Sequence, residues 1–208
     1  MAGFEPDANR VTLANGESVT YDDLVVALGI QIEWGAVKGL KETLGKNGVA
    51  SNYSYDTVGY TWQLIDSFQG GNALFTFPAT PIKCAGAPQK IMYLAEEHFR
   101  RKHVRDVSKV FYMTSTPSMF GIPKYRATLD TIVERRGIEP RFRRNLVEVR
   151  GPEREAVFEN LDTGERETMS YDMMHVTPPQ GPPAVVARSP LANDAGWVDV
   201  DDFTLQHV

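Results

Sequence analysis

The chain contains a single cysteine, Cys84, among its 208 residues, so no internal disulfide stabilises the fold. It also has no excess of basic residues. The 22 lysines and arginines and 27 aspartates and glutamates give a net charge of −5, which argues against a nucleic-acid-binding surface. No apolar run approaches the roughly 18 residues of a membrane-spanning helix. The four histidines lack metal-ligand spacing, so no metal site is expected.

What the chain does contain is typical of a folded α/β protein. Apolar residues make up 42% and charged residues 24%, enough to bury one core, or one domain and part of a second. The segment Met1–Pro6 has neither the basic nor the apolar region of a secretory signal. We therefore expect a cytosolic or membrane-peripheral protein without a spanning anchor.

The middle of the chain alternates between short apolar runs and amphipathic segments. Helices are predicted where apolar residues recur at helical spacing, and strands where apolar runs lie between turn residues. The order strand, helix, strand, helix, strand is half of a doubly wound, Rossmann-like sheet. The predicted helices are 56–68, 88–103 and 123–136, and the predicted strands are 72–77, 109–113 and 138–142.

A β-meander is predicted next, over 145–149, 156–160 and 166–169, followed by an apolar strand over 173–176. This arrangement echoes the start of the chain, where a hairpin around Asn15-Gly16 precedes a Tyr-Asp pair and a predicted buried strand over 24–28. The echo indicates a complete central domain of the disulfide-reductase flavoprotein type, preceded by the tail of a similar domain. Chance similarity between two hairpins is the alternative.

Cys84 follows a predicted strand and precedes a predicted helix, the turn at which nucleotide-binding folds hold phosphate. A lone cysteine is usually a buried, inert side chain. Here Lys83 is adjacent, a helix N-terminus follows, and Gly86 and Ala87 leave the approach open, which favours a reactive thiolate. Local chemistry favours the reactive interpretation over the structural one.

A dinucleotide site is not expected in the central domain. Such a site needs G-x-G-x-x-G after the first strand and a carboxylate after the second. The first turn offers only Gly86, and the second strand ends in 113–116 without a carboxylate. Within its apolar strand, His175 is interpreted as an interior histidine rather than a catalytic one. The segments 120–121 and 177–179 have two interpretations, either walls of a cavity around Cys84 or plain turns.

Several of these segments resemble a known enzyme family. Ser51-Asn52-Tyr53-Ser54, Phe75-Thr76-Phe77-Pro78, the run from Ile82 to Leu94 around Cys84, His175-Val176-Thr177-Pro178-Pro179, and the stretches Gly196–Asp201 and Thr204–His207 are similar to sulfide:quinone oxidoreductases, particularly the branch that includes the mitochondrial enzymes. The resemblance covers nearly the whole chain from Tyr21 on. It implies an α/β fold of the glutathione reductase type, with a Rossmann-like, NAD-binding-like domain and partial segments of an FAD domain.

The resemblance also implies a function. The parent enzyme would oxidise sulfide to a cysteine-bound persulfide or polysulfide and pass electrons through FAD to a membrane quinone, with a thiol or other sulfur acceptor. Cys84 would be one of two redox cysteines. Ala27, Leu28 and Gly29 resemble a strand end near the flavin, with Leu28 departing from the family pattern, and Pro178 and Pro179 are placed near the flavin as well.

The chain departs from the family in what it lacks. It has no glycine-rich FAD fingerprint, no second redox cysteine and no membrane-binding helices, so it is interpreted as an enzyme fragment that is inactive alone and does not retain FAD. The predicted parts are 1–50 of an FAD domain with a connector, a complete Cys-bearing domain at 51–178, and a return segment at 179–208. A bacterial cytoplasmic or inner-membrane peripheral location is expected, or the mitochondrial inner membrane in a eukaryote. The alternatives are a non-catalytic Rossmann-like binding module and a type II NADH:quinone dehydrogenase-like flavoprotein.

Overall fold

A computed structural model describes residues 2–208, which form two compact units. The larger unit is 32–179, and the smaller unit comprises the residues up to 31 together with 180–208. The strands are β1 Gly3–Glu5, β2 Arg10–Thr12, β3 Ser18–Thr20, β4 Gln31–Ile32, β5 Val49–Ala50, β6 Gly71–Phe77, β7 Ser108–Thr114, β8 Ile138–Arg141, β9 Arg144–Arg150, β10 Glu155–Asn160, β11 Arg166–Ser170, β12 Met173–His175 and β13 Gln180–Gly181. The α-helices are α1 Leu40–Thr43, α2 Tyr55–Ser67, α3 Ala87–Arg101, α4 Pro123–Arg136 and α5 Ala184–Ala187.

The larger unit is built on a parallel five-stranded sheet in the order β5-β12-β6-β7-β8. Of these five strands β12 comes last along the chain, yet it lies between β5 and β6, with Met174 opposite both Val49 and Leu74. The predicted Rossmann-like α/β order is confirmed, and each predicted strand and helix of this unit lies within two residues of its observed bounds.

The two faces of this sheet are buried by different layers. Because successive strand residues point to opposite faces, Ala73 and Phe75 pack with the helices, whereas Leu74 packs on the other side. The helical side is filled by residues of α2, α3 and α4. The opposite side is covered by the antiparallel meander β9-β10-β11, which contributes Leu146 and Phe158. The sheet is therefore buried on both faces.

The helix α3 is anchored at its C-terminal half by a buried carboxylate. Glu96 is fully buried on the side of the helix that faces the core. Its Oε1 accepts hydrogen bonds from Nε of Arg100 at 2.5 Å and from Nε of Arg105 at 3.0 Å, and its Oε2 accepts one from Arg136 of α4. Arg105 also donates to the carbonyl oxygens of Ser108, Arg136 and Gly137. This cluster fixes α3 against α4 and the start of β7.

The segment 32–50, which falls in the predicted FAD-domain part and connector over 1–50, belongs to the larger unit. It supplies the edge strand β5, which pairs with β12. Gly39 makes this packing possible, because its φ is +74° and a Cβ there would lie 2.1 Å from the carbonyl oxygen of Val149. The two-residue length of β5 explains why the apolar pattern does not reveal it.

The smaller unit contains the antiparallel sheet β1-β2-β3 and the short helix α5. The predicted hairpin is confirmed, with Val11 opposite Val19. The predicted buried strand over 24–28 is wrong: this run has no strand structure, and Val25 is 87% exposed. A strand needs a hydrogen-bonded neighbour, and no described residue pairs with this run. Apolar composition alone does not supply that partner.

Candidate functional site

Residues from three neighbouring strand ends meet at the carboxyl edge of the five-stranded sheet. Asn52 and Tyr53 follow β5, the loop with Cys84 follows β6, and His175 ends β12. In parallel sheets this edge is where ligands bind. The residues enclose a cavity of about 400 Å³, which is lined by Asn52, Tyr53, Lys83, Cys84, Ala87, Ile91 and His175.

Cys84 is exposed, and it lies in the wall of this cavity. Its backbone carbonyl accepts a hydrogen bond from the N–H of Ala87 at 3.1 Å, which fixes the turn that leads into α3. The N-cap of α3 is Gly86, where a Cβ would meet nothing within 4 Å. The thiol is therefore accessible at the N-terminal end of a 15-residue helix, in the turn that the sequence singles out.

His175 is the buried polar group of the cavity wall, with 1% of its surface exposed. Its Nε2 accepts a hydrogen bond from the backbone N–H of Asn52 at 3.1 Å. Burial lowers the pKa of His175 to about 4, against a smaller opposing effect of its own backbone. The ring is therefore neutral at pH 7 with its proton on Nδ1, because Nε2 is occupied as an acceptor. This Nδ1 has no hydrogen-bond partner among the described residues.

Tyr53 completes the polar part of the wall. Burial raises the pKa of Tyr53 above its ordinary value, the Thr177 hydroxyl lowers that pKa, and negative charge at Cys84 raises it further. The electrostatic coupling means that the phenol and the thiol share one local environment. Thr177 is itself held in place by a hydrogen bond from its N–H to Oγ1 of Thr76 at 3.1 Å.

Two of the predicted flavin-side residues, Pro178 and Pro179, follow β12 and are buried. They do not line the Cys84 cavity, and neither do Phe120 and Gly121. The structure therefore does not support the interpretation of these segments as walls of the Cys84 cavity. Their proximity to a flavin stays a prediction.

The other predicted flavin-side residues, Ala27, Leu28 and Gly29, lie in the smaller unit and are exposed. They line a separate cavity of about 630 Å³ together with Tyr21 and Trp197 of the same unit. Gly29 has a φ of +74° and open space where a Cβ would point. The backbone of this run is therefore open to close approach by a flat ligand.

The sequence alone does not predict that Asn52, Tyr53 and His175 line the same cavity as Cys84. Their common signal is position, since Asn52 and Tyr53 directly follow a strand and His175 is the last residue of one. Only the strand order places these ends side by side. Within residues 2–208, no group of three or more metal-ligating side chains could hold an ion, and no helix is long and apolar enough to cross a membrane.

Relatives with curated names align with the whole chain. The mitochondrial sulfide:quinone oxidoreductase of Mus musculus is 47% identical over 208 residues, which is 100% of this chain and 46% of the mouse protein. The protein of that name from Dictyostelium discoideum is 47% identical over 207 residues, which is 99% of this chain and 45% of the relative. No family model matches the chain. The chain is thus homologous to sulfide:quinone oxidoreductases along its whole length, and it spans less than half the length of these relatives.

Solved structures share the fold. A chain in the cryo-EM structure of the Tetrahymena thermophila mitochondrial ATP synthase superposes with a TM-score of 0.84 at 22% identity, over 99% of this chain and 52% of that one. The sulfide:quinone oxidoreductase of Aquifex aeolicus superposes with a TM-score of 0.72 at 20% identity, over 89% of this chain and 42% of that one. The thioredoxin reductase of T. acidophilum superposes with a TM-score of 0.52 at 16% identity, over 84% of this chain and 50% of that one. The predicted fold class is confirmed.

Proposed function

From this chain's homology to sulfide:quinone oxidoreductases along its whole length, we propose that Cys84 is a sulfur-carrying redox cysteine of such an enzyme. The observation that carries the proposal is the position of the thiol. It is exposed, at a helix N-terminus, in the wall of a cavity at the carboxyl edge of the sheet. A structural cysteine would be packed in a core, away from any cavity.

The chemistry proposed for Cys84 is thiol–disulfide exchange with sulfide. Hydrosulfide attacks the Cys84 sulfur of a disulfide shared with a second cysteine, which is not among these 208 residues. The disulfide bond breaks, a new sulfur–sulfur bond forms on Cys84, and the second cysteine leaves as a thiolate. The product is a persulfide on Cys84, and two electrons remain on the thiolate that has left.

The proposed cofactor is FAD, which when bound would accept those two electrons and pass them to a membrane quinone. The residues of this chain that fit it are Ala27, Leu28 and Gly29, whose exposed backbone could lie against a flat ring system. They would supply one wall and no phosphate contacts, because the 208 residues hold no G-x-G-x-x-G sequence. We expect the 208-residue protein to be purified without flavin absorbance. A yellow, flavin-loaded preparation would contradict this.

The larger unit is proposed to be the NAD-binding-like domain of the enzyme without a nicotinamide site, and the smaller unit part of its FAD domain. The remaining partners are sulfide, a thiol or other sulfur acceptor, and a quinone dissolved in the membrane. We place the enzyme peripherally on the mitochondrial inner membrane in a eukaryote, or on the bacterial inner membrane.

A chimaera tests the proposal. The matching 46% of the mouse enzyme is replaced by this chain, and sulfide-dependent quinone reduction is measured with flavin absorbance as the folding control. Cys84→Ser should remove quinone reduction and leave flavin bound, whereas Ala85→Ser on the same loop should reduce neither. Undiminished turnover in the flavin-loaded Cys84→Ser chimaera would exclude Cys84 from the reaction.

A further inference from the structure

The side chain of His175 lines the Cys84 cavity and carries a buried nitrogen, Nδ1, that the fold leaves without a partner. We propose that the Nδ1–H of His175 donates a hydrogen bond to anionic sulfur held on Cys84, the terminal atom of its persulfide. His175 is then a positioning and stabilising residue for the bound sulfur. This inference rests on the proposed function, because it needs Cys84 to carry sulfur.

The tautomer follows from the backbone. The N–H of Asn52 can only donate, so Nε2 of His175 must accept, and the single proton of a neutral imidazole is left on Nδ1. Buried donors in folded proteins are nearly always paired, because an unpaired one loses its hydrogen bonds to water. A buried donor that has no partner, on a side chain that lines a cavity, is therefore suited to an acceptor that arrives with the ligand.

The ring keeps this role at physiological pH. The low pKa that burial gives His175 keeps it uncharged, so it serves as a fixed donor rather than as a base that competes for the proton of the persulfide. The lining also contains Lys83, which brings a positive charge to the same cavity, and the phenol of Tyr53. Among the described residues that line the cavity there is no carboxylate. The chemistry of the wall suits a small anion.

The size and remaining lining of the cavity agree with this ligand. About 400 Å³ is near the lower end of the range for small-molecule sites, and it suits a persulfide or a small thiol better than a dinucleotide. Ala87 and Ile91 supply an apolar side, which favours a polarisable sulfur over a strongly hydrated oxyanion. Cys84 holds the sulfur covalently, and His175 would hold its charged end.

The first experiment observes the Nδ1 proton directly in the 208-residue protein. Cys84 is loaded with sodium tetrasulfide: its thiolate takes the terminal sulfur, one S–S bond of the tetrasulfide breaks and one S–S bond forms, and trisulfide leaves. Loading is verified by mass spectrometry after alkylation. In histidine labelled with ¹⁵N, the buried His175 N–H should shift downfield on loading. Cys84→Ser protein treated in the same way should show no shift.

Two variants separate the two ring nitrogens. His175→Gln places an amide near Nε2 and keeps an acceptor for Asn52, but it removes the Nδ1 donor. His175→Asn places an amide near Nδ1 and restores a donor there. Loss of one hydrogen bond to a charged group is worth roughly tenfold or more in an equilibrium constant. The pKa of the persulfide, read from the pH dependence of its alkylation rate, should therefore rise by about one unit in His175→Gln and by less in His175→Asn.

The outcomes are distinguishable. If Cys84 takes up no sulfur from tetrasulfide, the proposed function fails and the inference fails with it. If the persulfide forms with the same pKa in wild type and both variants, and the Nδ1 proton does not move on loading, His175 has no part in holding sulfur and the proposed function stands. The wild-type proton shift remains decisive even where a variant fails to fold.

Discussion

The carboxylate of Glu96 provides the sharpest test of how the larger unit is held together. Glu96→Gln keeps the shape of the side chain and removes its charge, which leaves Arg100, Arg105 and Arg136 without their common anion. Removing one partner of a buried ion pair costs about 3–5 kcal/mol. We expect the lower half of that range, about 3–4 kcal/mol, because Arg105 retains its hydrogen bonds to three carbonyl oxygens.

The matched control is Glu97→Gln on the same helix turn. Glu97 also contacts Arg136, but its side chain is 41% exposed, and such pairs contribute less than about 1 kcal/mol. With a denaturant dependence of about 2 kcal/mol per molar urea, the Glu96 midpoint should fall by about 1.5–2 M and the Glu97 midpoint by less than about 0.5 M. Circular dichroism reports this unit, because α2, α3 and α4 supply most of the helix. Equal midpoints for the two variants would refute the assignment of Glu96 as the anchor.

Three further measurements test other parts of the structure. Gly39→Ala should destabilise the protein by more than about 2 kcal/mol, because the added Cβ would overlap the Val149 carbonyl. Gly59→Ala, which lies in open space on α2, should stabilise the protein by about 0.5–1 kcal/mol. Urea midpoints that rank the two variants the other way would contradict the backbone geometry. Between pH 6.5 and about 4 the unfolded chain protonates His175 and the folded chain does not. The free energy of unfolding should therefore fall with falling pH, by up to about 3 kcal/mol more in wild type than in His175→Gln. Parallel pH profiles of the two proteins would show that this ring does not resist protonation. NADH should not raise the melting temperature of the protein, because the end of β6 lacks phosphate-binding glycines and the end of β7 lacks a carboxylate. A rise that depends on the NADH concentration would indicate a nicotinamide site.

The larger unit could be predicted from sequence because its local signals agree with one another. The helix α4 begins at Pro123 and ends before Gly137, which adopts the left-handed conformation that glycine favours, and both ends fall where the sequence places them. The strands β6 and β7 are continuous apolar runs, as expected of strands that are buried on both faces. Each of these features is decided within about 15 residues of chain.

The errors arise where a structure depends on distant partners. The run over 24–28 is as apolar as β6, but composition does not reveal whether a neighbouring strand is present. The position of Cys84 after β6 is local information and was predicted. The meeting of Cys84 with His175 depends on β12 lying between β5 and β6, which no local pattern contains. The open Nδ1 of His175 was missed for the same reason, since it depends on which backbone N–H occupies Nε2.

The late arrival of β12 has a consequence for biosynthesis. After Cys84 a ribosome adds 91 further residues up to and including His175, which takes roughly 5–20 s at typical elongation rates. During that interval β5 and β6 lack the strand that separates them, and the newly made thiol has no imidazole beside it. The Cys84 cavity is thus closed by long-range pairing at a late stage, so its assembly should be slow compared with that of the helices around it. Oxidants or electrophiles present during translation would meet this cysteine before its surroundings exist.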